Sequence, residues 1–235
     1  MEIVILTGAG MSAESGLGTF RDVGGLWARH DLNEVATPAG FARDPARVHA
    51  FYNARRAGCR DAVAHEGHRA LGRLMRARPD AVTLVTQNVD SLHEAGGARD
   101  VLHMHGRLDR ALCAACGHRW GAPEVMTPDD PCPACAATAT RPDVVWFGEM
   151  PYLMDEIMTA LARADLFVTI GTSGSVYPAA GFVAEARRAG ARTLELNLAP
   201  SDNAQIFDEA HYGPASQIVP AWVDEVLAEA NRPRS

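Results

Sequence analysis

Short, nearly continuous apolar runs separated by alanine-rich, charged stretches constrain this chain most. Ile3 to Leu6, Ala81 to Val85, Leu166 to Ile170, Thr193 to Leu196 and Gln217 to Val219 each have strand length. In several of them the apolarity is nearly continuous, which suits strands of a parallel sheet buried on both faces. Between them Glu66 to Arg76, Met154 to Arg163, Ala179 to Arg188 and Ala221 to Ala230 read as helices. The predicted fold is α/β, a Rossmann-like doubly wound parallel sheet with a second, smaller and partly helical domain.

Two stretches interrupt this alternation. In the first, Asp44 can cap a helix whose first turn holds Pro45 and which runs to about Ala57. In the second, Leu108 to Thr140, cysteines sit among Gly, Pro and Asp with little periodicity. The expected division is residues 1–27, 66–107 and 141–235 in the main Rossmann-like domain, and 28–65 with 108–140 in the small one. No internal repeat is found.

Cys113 and Cys116 form one close pair, Cys132 and Cys135 another. Four thiolates at this spacing can close a tetrahedral zinc site and staple loops that have no core of their own. No coordination position would remain for water, so the expected zinc is structural. Cys59, the fifth cysteine, reads as a semi-buried small residue. An odd count of this kind suits a reducing compartment.

The segment Thr7-Gly8-Ala9-Gly10-Met11-Ser12-Ala13-Glu14-Ser15-Gly16 follows the first strand at once and is expected to lead into a helix. Such glycines let a backbone approach a pyrophosphate. Thr19, Phe20 and Arg21, with Trp27 beyond, lie in loop; Phe20 could shield a reactive centre and Arg21 meet phosphate. Gln87, Asn88, Val89 and Asp90 close the strand that begins near Ala81, the position where open α/β sheets bind ligands. The side chains of Gln87, Asn88 and Asp90 could hydrogen-bond a carboxamide and ribose hydroxyls, and His103 or His105 could exchange a proton near neutrality. Spacing does not choose between the two histidines. Gly171, Thr172 and Ser173, and Asn197 with Leu198 and Ala199, repeat the pattern at two further strand ends.

Composition narrows the partners. The net charge is −7, its acidic residues are scattered, and no basic cluster offers a nucleic-acid surface. All 22 basic residues are arginine, so the chain has no lysine side chain. No basic leader precedes Glu2 and no apolar run reaches the roughly 20 residues that cross a bilayer, so a cytoplasmic protein without membrane attachment, and a monomer, is expected.

Taken in order, Gly8 to Gly16, Thr19-Phe20-Arg21, Thr86 to Asp90, His105-Gly106, the cysteine pairs, Val145-Trp146-Phe147-Gly148-Glu149, Gly171-Thr172-Ser173 and Asn197 resemble the sirtuin family across almost the whole chain. Within it the likeness is greatest to bacterial members of the branch that includes a mitochondrial desuccinylase. The resemblance implies NAD as a consumed cosubstrate, bound between the two domains by the residues above together with Ala215, and a structural zinc. It selects His105 as catalytic base, with Asn88 orienting ribose and Asp90 holding the nicotinamide carboxamide. Val145, Phe147, Gly148 and Glu149 are implied to pair with the backbone of an acyl-lysine protein or peptide.

Tyr52 and Arg55, three apart on one helix, share a face and match the pair by which that branch grips malonyl, succinyl and glutaryl carboxylates. Ala36 matches its small residue that leaves room for a longer acyl chain, and Arg56 is expected to be merely solvated. The implied products are nicotinamide, the free lysine and 2-O-acyl-ADP-ribose. Gly18 departs from the family, which commonly has proline there. The alternatives are a protein mono-ADP-ribosyltransferase and a non-enzymatic NAD or zinc binding module.

Overall fold

A computed structural model describes residues 1–18 and 31–230. Its centre is a six-stranded parallel sheet formed by β1 (Ile3–Thr7), β2 (Val82–Thr86), β3 (Leu102–His103), β7 (Leu166–Ile170), β8 (Arg192–Asn197) and β9 (Glu209–Tyr212), in the order β3-β2-β1-β7-β8-β9. All five residues of β1 are buried because its two faces are covered separately. Ile3 and Ile5 pack with Leu71 and Leu74 of α4 (Glu66–Ala77) and Val219 and Val223 of α8 (Ala215–Ala230). Val4 and Leu6 pack on the opposite face with Ile157 and Leu161 of α6 (Met154–Arg163) and Phe182 and Val183 of α7 (Phe182–Arg188). A one-residue register slip would exchange the two sets, so both covered faces fix the pairing.

Helical residues α1 (Leu32–Val35), α2 (Pro38–Arg43) and α3 (Pro45–Asp61) follow β1 in the chain, and α5 (Leu92–Ala95) lies between β2 and β3. The Asp44 side chain accepts from the Arg47 amide at 2.9 Å, and Pro45 occupies the first turn, so α3 starts where the sequence places it. A second, antiparallel sheet has the order β5-β4-β6, built from β4 (Gly106–Cys113), β5 (Arg119–Gly121) and β6 (Thr140–Val144).

Two expectations are corrected. Gln217 to Val219 is not a strand but lies inside α8, where the buried Val219, Trp222, Val223 and Val226 recur at three- and four-residue spacing. Three residues of Gln-Ile-Val fit either period, and the following turns decide for the helix. The sixth strand is β9 instead, a mostly exposed edge whose polar Glu-Ala-His-Tyr sequence gives no apolar run. The expected helix after Gly10 is replaced by two 3-10 turns, Ala9–Met11 and Ala13–Ser15, the second ended by Gly16 at φ 86°. Among the described residues, no helix is long and apolar enough to cross a membrane.

Candidate active site

The chain leaves β1 towards β2 on one side, while β7 takes its place on the other, which makes the carboxyl ends of β1 and β7 the topological switch point of the sheet. The Gly8 and Gly171 loops meet there. Gly8 N donates to Ile170 O and Gly10 N to Gly171 O, each at 2.9 Å. A β-carbon on Gly10 would lie 2.8 Å from Gly171 Cα, and one on Gly171, at φ 62°, would lie 2.3 Å from Met11 N. These glycines thus let two backbone loops touch. The Gly8 and Gly10 amides are spent on that contact, which differs from the simplest expectation that they face a phosphate.

Beside this contact, Asn88 Nδ2 donates to Gly8 O and to Ser12 Oγ, both at 3.0 Å, and Ser12 Oγ donates to Asp90 Oδ2 at 3.0 Å. A carbonyl can only accept, which assigns the Asn88 amide nitrogen to that side and turns its oxygen away. Asp90 Oδ1 accepts the Leu92 amide, while burial pushes the Asp90 carboxyl above its ordinary range. Ser12, Asn88 and Asp90 are therefore one buried network on the ends of β1 and β2.

The histidines separate cleanly. His103 is buried with both ring nitrogens facing acceptors, Asn88 O at 3.3 Å and Glu94 Oε1 at 2.7 Å, and Arg107 shares that carboxylate oxygen at 2.8 Å. His105 is half-buried, and its Nδ1 lies 3.2 Å from Gln87 O. Nδ1 must carry the proton there, leaving a lone pair on Nε2, and burial lowers the ring's pKa so that this neutral tautomer dominates at pH 7.

On α3, Tyr52 is buried and the Arg55 guanidinium carbon lies 5.8 Å from its ring and 5.9 Å from that of Phe51. Burial raises the Tyr52 pKa and lowers that of Arg55, the latter opposed by Tyr52, Cys59 and Asp90. Ala36 is buried in the same cluster as Tyr52 and Trp146, and its carbonyl accepts Phe147 N at 2.9 Å. Val145 N donates to His105 O at 2.9 Å, so residues 145 to 147 are strung between His105 and Ala36. Phe147 and Gly148 remain exposed, the latter at φ 91°. Glu149 turns inward: it takes Arg141 at 2.6 and 2.9 Å and the Trp146 amide at 2.8 Å. Arg56 corrects an expectation. It is buried, not solvated, and donates to Leu108 O at 2.7 Å and Asn53 Oδ1 at 2.8 Å, tying α3 to β4.

The four paired cysteines converge. Sγ of Cys113 and Cys135 are 3.7 Å apart, as are those of Cys116 and Cys132, and all four lie within 4.8 Å of one another. A tetrahedron with Zn–S bonds of about 2.3 Å has sulfur-to-sulfur edges of roughly 3.8 Å, so the donor set fits zinc. Four thiolates fill the coordination shell, and the ion would link the β4–β5 turn to the loop before β6.

Other predicted residues serve the frame. Glu14 accepts Ser216 N at 3.0 Å and Ser216 Oγ at 2.5 Å, securing the first turn of α8 beside Ala215, and Ser15 donates to Val63 O at 2.6 Å. Asn197 Nδ2 donates to Thr172 O and its Oδ1 accepts Leu198 N, bracing the loops after β7 and β8, while Ser173 Oγ meets Ser175 Oγ at 2.8 Å. The Leu198 side chain is exposed, as is Ala199, and the Val89 carbonyl accepts Leu108 N at 2.8 Å. Thr19, Phe20, Arg21 and Trp27 lie outside the described residues. Sequence reading missed a cluster of tilted and edge-on histidine rings reaching Thr7: the His65 and His68 rings are 4.2 Å apart, those of His68 and His93 5.2 Å, and His93 Nε2 meets Thr7 Oγ1 at 2.8 Å. His65 and His68 fall three apart on α4, which was the available signal.

A parallel sheet with a polar cleft at its switch point, and a four-thiolate module between two of its strands, defines a Rossmann-like α/β protein with a structural metal site. The Sir2 family model matches residues 8–178. A Caulobacter vibrioides protein described as an NAD-dependent protein deacylase is 57% identical over 97% of this chain and 98% of its own length. An Escherichia coli protein of the same description is 52% identical over 96% of this chain and 82% of its own length. Among solved structures, a Sir2 homologue in complex with ADP-ribose superposes with a TM-score of 0.91 at 35% identity, covering 99% of this chain and 95% of that one. A Sir2 homologue bound to NAD gives 0.88 at 35% identity, covering 97% and 90%. The chain belongs to the Sir2 family.

Proposed function

We propose that this protein is an NAD-dependent protein-lysine deacylase whose pocket takes succinyl and malonyl groups as well as acetyl. What supports the reading is the Ser12–Asn88–Asp90 network at the ends of β1 and β2, His105 held by the carbonyl of Gln87 next to Asn88 with its proton on Nδ1, and Arg55 beside Tyr52. Its relatives' description as NAD-dependent deacylases supports the general activity. The acidic-acyl preference rests on Arg55 beside Tyr52 and on the match of that pair to the desuccinylase branch.

NAD supplies an electrophilic ribose carbon once nicotinamide leaves, and acyl transfer to the ribose gives 2-O-acyl-ADP-ribose. Asp90 and the Val89 backbone would hold the carboxamide, and Asn88 and Gln87 the ribose. His105, neutral and with Nε2 available, would take the proton from a ribose hydroxyl. Phe147 and Gly148, exposed in the turn that follows β6, lie where an acyl-lysine peptide could be laid alongside as an added strand. Such pairing reads side chains weakly, so many proteins would serve as substrates. Glu149 acts by holding that segment's turn. The cysteine-bound zinc would hold the small sheet and take no part in the chemistry.

Arg55 presents a fork that a carboxylate can meet with two parallel hydrogen bonds. The test compares kcat/KM on one peptide carrying acetyl-, succinyl- or malonyl-lysine. Wild type should act on all three, and Arg55→Met should lose efficiency on the two acidic groups while retaining deacetylation. Equal loss on all three would remove Arg55 from the acyl site.

A further inference from the structure

The indole of Trp146 is held on two sides. The Arg141 guanidinium carbon sits 3.5 Å from its ring centroid, and the Phe41 ring lies 5.0 Å away. Arg141 is itself locked: it is almost fully buried, donates twice to Glu149, and donates to Val144 O at 2.8 Å. Glu149 closes the frame by accepting the Trp146 amide. The ring therefore has one orientation, and in it Nε1–H donates to Tyr52 Oη at 3.0 Å across 94 residues of sequence.

This bond decides which way Tyr52 can donate. A phenol has one proton and its oxygen can also accept, and an indole nitrogen can only donate. Trp146 thus occupies an acceptor site on the Tyr52 oxygen, and the Tyr52 proton must point elsewhere. Among the described residues no acceptor receives it. Tyr52 is buried and its pKa is raised by that burial, so the proton is retained at pH 7. Arg55 lies on the same helix face.

We infer that Trp146, clamped by the Arg141–Glu149 pair, is a specificity-positioning residue: it aims the Tyr52 hydroxyl as a donor towards the carboxylate of an acidic acyl group. The inference rests on the acyl-pocket reading above and adds the device that pre-orients it. Accepting the indole N–H also polarises the Tyr52 O–H and makes it a better donor. An acetyl group presents no carboxylate and gains nothing from this.

The test is a cycle of Trp146→Phe and Tyr52→Phe, read as the ratio of kcat/KM for succinyl- over acetyl-lysine on one peptide. Any disturbance of the peptide-pairing strand acts on both substrates and cancels in the ratio. Trp146→Phe should lower the ratio about three- to tenfold, the worth of a hydrogen bond to stability or binding. In the Tyr52→Phe background it should lower it no further. An unchanged ratio in the single variant, or an equal fall in both backgrounds, overturns the inference.

If Tyr52→Phe and Arg55→Met both leave the ratio unchanged, the acyl-pocket reading fails and takes this inference with it. If they lower it and Trp146→Phe does not, only the inference fails. Should Trp146→Phe not fold, wild-type protein labelled with 15N-tryptophan gives the same answer. Saturation with the succinyl peptide should move the Trp146 indole resonance beyond the shift that the acetyl peptide produces, and Tyr52→Phe should abolish the difference; equal shifts with the two peptides in wild type would overturn it.

Discussion

Acidification should destabilise this protein earlier and more steeply than its carboxylates would require, because two histidines are held neutral by burial. Burial pushes His68 down to about 2 and His93 down to about 4, and His68 is fully buried with Nε2 unpartnered among the described residues. The unfolded chain titrates such groups near 6.5. Above that pH neither state binds the protons and stability is complete. Below it the unfolded chain takes them up and the folded one refuses, so stability falls as pH falls.

Each group contributes about 1.4 kcal/mol per pH unit below 6.5, so moving from pH 7 to pH 5 should remove about 4 kcal/mol for the pair, a large share of an ordinary domain's stability. His49 and His105 are lowered by burial too and add to the slope. Zinc affinity also weakens in acid, so the comparison that isolates the histidine cluster is between wild type and His68→Leu at fixed excess zinc. Urea unfolding followed by tryptophan fluorescence at pH 7, 6 and 5 gives the slopes. The variant should lose about 2 kcal/mol less than wild type over this range, whatever its stability at pH 7. Equal losses in the two proteins would refute the neutral-histidine argument.

Three further outcomes follow from the same structure. Cys116→Ser should abolish stoichiometric zinc and lower the thermal midpoint, because the β4–β5 turn has lost its anchor; Cys59→Ser should do neither, as zinc analysis and calorimetry will read. Arg56→Met should cost about 2–4 kcal/mol by leaving the Leu108 carbonyl and Asn53 without their buried charged partner, with the succinyl-to-acetyl ratio unchanged. His105→Ala should abolish acyl transfer while NAD binding by calorimetry persists, since the Ser12–Asn88–Asp90 network does not pass through His105.

Much of this fold was legible because its strands are buried on both faces. β1 and β7 read as unbroken apolar runs, and Asp44-Pro45 marks the start of α3 through the two properties a first turn requires. The zinc cluster was legible because four thiolates at close paired spacing have few other stable uses. β9 was hidden by its position at the sheet edge, where half-exposed polar residues suffice. Gln217 to Val219 misled because three apolar-leaning residues carry no period.

At the site, residue type was informative and direction was not. Nothing in the spacing told that His103 faces two acceptors and His105 one, that Glu149 turns in to Arg141, or that Arg56 is buried while Arg55 faces Tyr52. Each of those depends on a partner many positions away. The Gly8 and Gly10 amides carry the same lesson, since their partner loop at Gly171 is brought in only by the crossover of the sheet.

The most direct test of the central claim is mass spectrometry of the products formed from NAD and an acyl-lysine peptide. The account predicts nicotinamide, free lysine peptide and 2-O-acyl-ADP-ribose in equal amounts, with succinyl and malonyl groups transferred as well as acetyl. ADP-ribose attached to the protein substrate in place of acyl-ADP-ribose, or NAD bound without nicotinamide release, would contradict it.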